Sequence, residues 1–188
     1  ARIKQRILQY TRTMEGREIK MISKKMQDAV NDQINAELYS SYLYLSMAAY
    51  FEEKNLRGMA TWMTIQALEE KDHAMKFYNY IVERGGRIKL QAIAEPPFEW
   101  KSCLDVFKAA LDHERYVTRR INDLTELAME EKDHASQIFL QWFVTEQVEE
   151  EANAEEIINK LEFLSESKHG VYMLDKELGA RVYPAEEE

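Results

Sequence analysis

Apolar residues recur along this chain at spacings of three and four over four long stretches, with short polar breaks between them, and this periodicity predicts helices rather than strands. The first stretch runs from about Ser23 to Phe51, with Ile34, Leu38, Leu45 and Ala48 on one stripe. Asn55-Leu-Arg-Gly58 interrupts the pattern, and a second helix continues to about Arg84. Gly85-Gly86 is a helix stop, and Pro96-Pro97 cannot sit inside a regular helix, so residues 85–101 are expected to form an extended connection. Ser102 is placed to cap a third helix reaching about Glu130, and a fourth follows to about Leu164. A short fifth segment, Val171 to Leu178, is apolar on one side and ends at Gly179.

Two short turns and one long connection describe two helical hairpins joined by a crossover, which is the plan of a four-helix bundle of the single-crossover type. The fold class is therefore all-α. Composition agrees: among 188 residues there are 6 Gly and 3 Pro, and 31% are charged, a balance that favours long helices in one domain. The single cysteine, Cys103, excludes an internal disulfide and any cysteine-based zinc or iron–sulfur site. No run of about 18 apolar residues could span a membrane. A formal charge of -9 argues against nucleic acid as a partner and suits a protein that attracts cations. The expected setting is reducing and cytoplasmic. Residues 1–20 form a basic extension without the apolar core of a signal peptide, residues 21–183 form the domain, and residues 184–188 are an acidic tail.

Carboxylate count locates nothing on such a chain, but spacing does. Glu70 and His73 share one helix face, being three residues apart. Glu37 precedes Glu70 by 33 residues, and Glu114 precedes Gln147 by the same 33. Three residues beyond stand His73 and Glu150, so the halves read Glu…Glu-x-x-His and Glu…Gln-x-x-Glu. Within a hairpin, two residues lie level when the turn falls midway between them, and both midpoints, 53–54 and 130–131, fall beside a predicted turn. All six groups should therefore converge in the bundle. Hard oxygen donors with an imidazole suit iron or manganese better than copper or zinc.

The same reading sets other residues aside. Glu69-Glu-Lys-Asp-His-Ala74 recurs letter for letter as Glu130-Glu-Lys-Asp-His-Ala135, yet Glu131 and His134 sit at a turn, roughly 24 Å along the helix from Glu114, too far to be ligands. Tyr44, two turns after Glu37, is expected either to pack with its hydroxyl bonded or to serve the site. Trp142 is expected in the core, and His113 is expected to be structural. Glu69, Glu146 and Glu149 neighbour the proposed ligands and by default would be solvated.

Asn35-Ala-Glu-Leu-Tyr-Ser-Ser-Tyr-Leu-Tyr44, Glu69-Glu-x-x-His73, Tyr80-Ile-Val-Glu-Arg-Gly-Gly86, Gln141-Trp-Phe-Val-Thr-Glu-Gln-Val-Glu-Glu-Glu151 and Leu174-Asp-Lys-Glu-Leu178 occur here in that order. With these motifs, about Met21 to Arg181 resembles prokaryotic non-haem ferritin. The resemblance implies a ferritin-like bundle with a short fifth helix, assembled as a 24-subunit shell. Inside it ferrous iron would be oxidised by dioxygen or peroxide and stored as ferric mineral. It further implies that Glu37, Glu70 and His73 bind one iron, that Glu70 bridges to a second completed by Glu114 and Glu150 with Gln147 close by, and that Tyr44 stands beside them. Glu69, Glu146 and Glu149, with Glu150, would correspond to a third iron site. Gln-x-x-Glu in the second half, where haem-containing relatives carry Glu-x-x-His, and the surroundings of Met59 and Met63 lead us to expect no haem. A rubrerythrin-like peroxide-scavenging oxidase is the alternative, but it would favour a second Glu-x-x-His level with Glu114 and a cysteine pair; the repeated Glu-x-x-His, Glu131 to His134, lies at the turn, and Cys103 stands alone.

Overall fold

The computed structural model describes residues 21–164 and 167–183. The basic extension and the acidic tail lie outside the described residues. Among the described residues five helices follow in order: α1 Lys24–Glu53, α2 Arg57–Glu83, α3 Cys103–Glu130, α4 His134–Leu164 and the short α5 Lys168–Leu178. The described residues contain no strand. α1 packs along α2, α3 along α4, and α1 meets α3 to join the hairpins, while α5 rests on α2 and α4.

Local chemistry sets most helix boundaries. Ser23 and Ser102 cap α1 and α3, accepting from the backbone N–H of Met26 at 3.0 Å and of Asp105 at 3.1 Å. The α1–α2 turn passes through Asn55 and the α3–α4 turn through Lys132, both with positive φ. Gly85, at φ +67°, ends α2, and the next N–H, that of Gly86, reaches back to the Ile81 carbonyl at 2.8 Å. α5 starts at Lys168, a few residues before the apolar pattern begins, because Ser167 caps it by accepting from Gly170 N–H.

The crossover has no helix or strand to satisfy its backbone, and α1 supplies the partners instead. Gln27, Asn31 and Asn35 stand one turn apart on α1. Gln27 accepts from Arg87 N–H at 2.8 Å, and Asn31 accepts from Lys89 N–H at 2.7 Å while donating to the Arg87 carbonyl at 3.0 Å. Asn35 donates to the Ala92 carbonyl at 3.1 Å. A ladder of side-chain amides thus takes the place of a neighbouring strand.

The apolar core is divided in two. One cluster, with Tyr50, Phe51, Trp62, Phe107, Ile157 and Leu178, lies at the end capped by α5. The other, with Met26, Ile34, Phe77, Ile121, Leu140 and Phe143, fills the opposite end. Between them the four long helices turn Gln33, Glu37, Gln66, Glu70, His73, Glu114, Gln147 and Glu150 inward, all buried. This polar belt corrects half of the expected α1 stripe, of which Ile34 and Ala48 are buried as expected. Leu45 is 48% exposed and Leu38 half-buried, because Glu37, Tyr44, Met47 and Phe51 occupy the inward face. A polar inner layer erases the contrast from which a stripe is read. Met59 and Met63 lie fully buried in the first cluster. Among the described residues, no helix is long and apolar enough to cross a membrane.

Candidate metal centre

The structure brings the six spacing-derived residues to one depth. Glu37, Glu70, His73, Glu114, Gln147 and Glu150 are each no more than 5% exposed. Glu37 from α1 with Glu70 and His73 from α2 offer one ligand atom apiece, all within 4.8 Å of one another. Glu70 and His73 meet there because three residues make nearly one helical turn. On the other side Gln147 donates its amide to Glu114 Oε2 and to the Glu114 carbonyl, both at 3.2 Å, and to Thr118 at 3.3 Å. Tyr44 donates its hydroxyl to Glu114 Oε1.

Four carboxylates packed this closely in a buried space resist ionisation. Burial, and then the charge of Glu70, pushes the Glu37 carboxyl far above the usual carboxylate range; burial and the charges of Glu114 and Glu150 do the same to Glu70. Burial followed by the Glu114 charge raises Glu150 to about 8. Burial also raises Glu114, although donors from Tyr44 and Gln147 work against it. Three oxygens carry the clearest message. Glu37 Oε2 and both oxygens of Glu70 are buried without a hydrogen-bond partner. Protein interiors leave such groups unmatched rarely, and a hard cation is what would satisfy them.

The surrounding side chains hold this set in place. His73 is flanked edge-to-face by Trp142 and Phe143, with ring centroids 5.3 and 6.0 Å away. Trp142 is not a core residue as expected: it is 41% exposed, with the Lys76 ammonium 4.5 Å over its ring, and it forms the outer wall of the imidazole pocket. His113 is structural, its Nε2 2.7 Å from Ser40 Oγ, and burial lowers its pKa to about 4. Of the neighbouring carboxylates, Glu69 is half-buried and accepts from Arg181 at 2.5 Å, Glu146 is half-buried, and Glu149 is exposed. Glu131 accepts from Ser23 and His134 is an exposed partner of Gln137, so the second copy of the hexapeptide contributes no ligand to the buried set.

Two buried residues escaped the sequence reading. Gln33 donates to Glu37 Oε1 at 2.8 Å, and Gln66 donates to Glu150 Oε2 at 2.5 Å. A signal was available, since Gln33 and Gln66 repeat the 33-residue interval one turn before Glu37 and Glu70.

Comparison with known proteins agrees with this geometry. Residues 27–164 match the Ferritin-like domain family. The chain is 41% identical over 166 residues to a protein of Staphylococcus aureus named bacterial non-heme ferritin, covering 88% of this chain and all of that one. A Bacteroides fragilis protein of the same name is 45% identical over 161 residues, again over its full length and 86% of this chain. Among solved structures, an open pore ferritin from the hyperthermophilic archaeon Archaeoglobus fulgidus superposes with a TM-score of 0.85 at 54% identity, over 86% of this chain and 99% of that one. With its bundle, its crossover, its fifth helix and its belt of buried carboxylates, the chain belongs to the ferritin family.

Proposed function

We propose that this protein stores iron, and that it oxidises ferrous iron at a dinuclear site formed by Glu37, Glu70, His73, Glu114 and Glu150. The observation that carries this reading is the set of unpartnered oxygens on Glu37 and Glu70 beside the His73 imidazole. Glu70, with neither oxygen hydrogen-bonded and Oε2 3.7 Å from His73 Nδ1, is suited to bridge two ions. Glu37 has one oxygen free and one tied to Gln33, which suits it to a single ion. Gln147 serves by orienting Glu114, to which it donates twice. Two ferrous ions would each give up one electron, and dioxygen or peroxide would take the pair. Anionic oxygen donors favour the ferric product, and the ions relieve the repulsion that raises the pKa values of these carboxyls.

Glu69, Glu146 and Glu149, with Glu150, would hold a third ion on the way to storage. Their greater exposure supports an exit position, and an ion there would displace Arg181 from Glu69. The storage compartment would be a shell of 24 identical subunits of 22.2 kDa in the cytoplasm. A run of exposed apolar residues on one flank, Tyr42, Leu45, Leu90, Ile93 and Phe98, supports burial against further copies.

Aerobic oxidation of Fe(II), followed by ferric absorbance in the parent and in Glu37→Ala and His73→Ala, tests the site. Both variants should lose most of the rate; oxidation as fast as the parent's in both would remove the assignment. Size-exclusion chromatography with light scattering distinguishes the shell from a dimer.

A further inference from the structure

Two hydrogen-bond chains enter the metal centre from outside, and they share one form. On one side Arg120 Nε donates to Gln33 Oε1 at 2.8 Å, and Gln33 Nε2 donates to Glu37 Oε1 at 2.8 Å. On the other, Arg181 Nη1 donates to Gln66 Oε1 at 2.7 Å, and Gln66 Nε2 donates to Glu150 Oε2 at 2.5 Å. Both glutamines are almost fully buried, at 0% and 1% exposure. Each arginine is itself braced against a ring, Arg120 on Tyr116 at 5.7 Å and Arg181 on Trp62 at 4.6 Å. Arg181 also grips Glu69 with its other terminal nitrogen.

The arginines settle which way the amides point. A guanidinium only donates, so each amide oxygen must face it, and each amide NH2 is then forced toward the carboxylate. An arginine placed directly on Glu37 or Glu150 would tend to pair bidentately and occupy both oxygens. The intervening amide carries a donor without a charge and takes one oxygen. At Glu37 the outcome is visible: Oε1 is held and Oε2 has no partner.

We propose that Gln33 and Gln66 are positioning residues, amides fixed in direction by Arg120 and Arg181, which hold Glu37 and Glu150 so that each offers a single oxygen to an incoming ferrous ion. The inference rests on the metal centre argued above. It gives α3 and the segment after α5, neither of which supplies these two carboxylates, a part in setting the ligand geometry. Support from a residue behind a ligand is worth about 10- to 100-fold in metal affinity.

The test uses Co(II), whose visible absorption reports coordination geometry without turnover. Gln33→Met and Gln66→Met keep side-chain volume and remove the donor. Each should weaken Co(II) binding by calorimetry about 10- to 100-fold and alter the visible spectrum, while the helical signal is retained. Arg120→Met and Arg181→Met, which leave the amide present but free to turn over, should shift affinity and spectrum the same way by less. Parent-like affinity and spectrum in folded glutamine variants would overturn the proposal. If those variants fail to fold, parent-like behaviour of both arginine variants would overturn it instead. A parent that binds no Co(II), or a Glu70→Ala variant that binds it as tightly as the parent, would count against the metal centre itself.

Discussion

Tyr44 of α1 donates its hydroxyl to Glu114 of α3, and so ties the two hairpins together at the level of the proposed irons. Burial, then the Glu114 charge, pushes the phenol well above its ordinary range, so it stays a donor at any working pH. The bond fixes one Glu114 oxygen while Gln147 holds the other at 3.2 Å.

Tyr44→Phe keeps the ring and deletes the donor. Glu114 would keep Gln147 but gain freedom to turn. Fe(II) oxidation should slow about 10-fold or more, with the fold retained. Stopped-flow absorbance of the ferric product reads this directly. A parent-like rate would reduce Tyr44 to packing, and a loss as complete as that of Glu70→Ala would make it a ligand in its own right.

The buried carboxyls predict an unusual pH response in metal-free protein. Glu150 titrates near 8, raised mainly by burial and then by Glu114, against an ordinary value of 4.5. A carboxyl whose pKa is raised by folding stabilises fully below its unfolded value, and that contribution is lost as pH rises through the folded value. His113, with its pKa lowered to about 4, works in the opposite sense below about pH 6.5, so metal-free protein should melt at progressively lower temperature between about pH 6.5 and 8. A divalent ion replaces the protons, so Co(II) should raise the melting temperature more at pH 8 than at pH 5.5. Calorimetric scans across that range, with and without Co(II), decide it; a flat metal-free profile would mean the carboxyls are solvated after all.

How much of this was legible in the sequence depends on which contrast each feature leaves there. Turns and crossover were, because Asn55, Gly85-Gly86 and Pro96-Pro97 act through local backbone chemistry. So was the convergence of Glu37, Glu70, His73, Glu114, Gln147 and Glu150, since equal intervals across two turns amount to a distance measurement. Of the α1 stripe, Ile34 and Ala48 are buried as the periodicity predicts, but Glu37 interrupts the apolar inward face midway, so that Leu45 marks its flank instead. Size and apolarity predict a core position for Trp142, whereas its ring borders His73 on one side and meets Lys76 on the other. Gln33 and Gln66 were overlooked because a helical glutamine is most often solvated. Only the arginines, distant in sequence, reveal what these two residues do.

The fifth helix is held by a contact that depends on glycine. Leu56 supplies no side-chain cap to α2, and Asp175 of α5 takes over, accepting from Met59 N–H at 2.9 Å. The approach is so close that a Cβ on Gly58 would lie 1.6 Å from the Asp175 carbonyl oxygen. Asp175→Ala should cost about 1 kcal/mol, as loss of a helix cap does. Gly58→Ala must push α5 off its seat, exposing Leu174 and Leu178, and should lower the melting temperature further. Thermal scans of both variants check the order; equal, small losses would show that α5 can shift without penalty.

At the opposite end, Arg84 from the close of α2 meets Asp133 before α4 at 3.0 Å, both side chains nearly buried. Ser136 donates to Asp133 through hydroxyl and backbone, and Tyr80 shares the Ser136 hydroxyl at 2.8 Å. Burial alone would raise the Asp133 carboxyl, but Arg84 and Ser136 outweigh it and hold the pKa below the ordinary range. Its stabilisation is therefore complete above the unfolded value and fades as pH falls, opposite in sign to Glu150. Asp133→Ala would take the carboxylate from Arg84, which keeps Tyr80 and Ser136 as acceptors, and should destabilise by about 2 kcal/mol at neutral pH, with a smaller penalty in acid. Urea unfolding of parent and variant at pH 7 and in acid would measure it. An equal penalty at both pH values would mean that the ion pair contributes only packing.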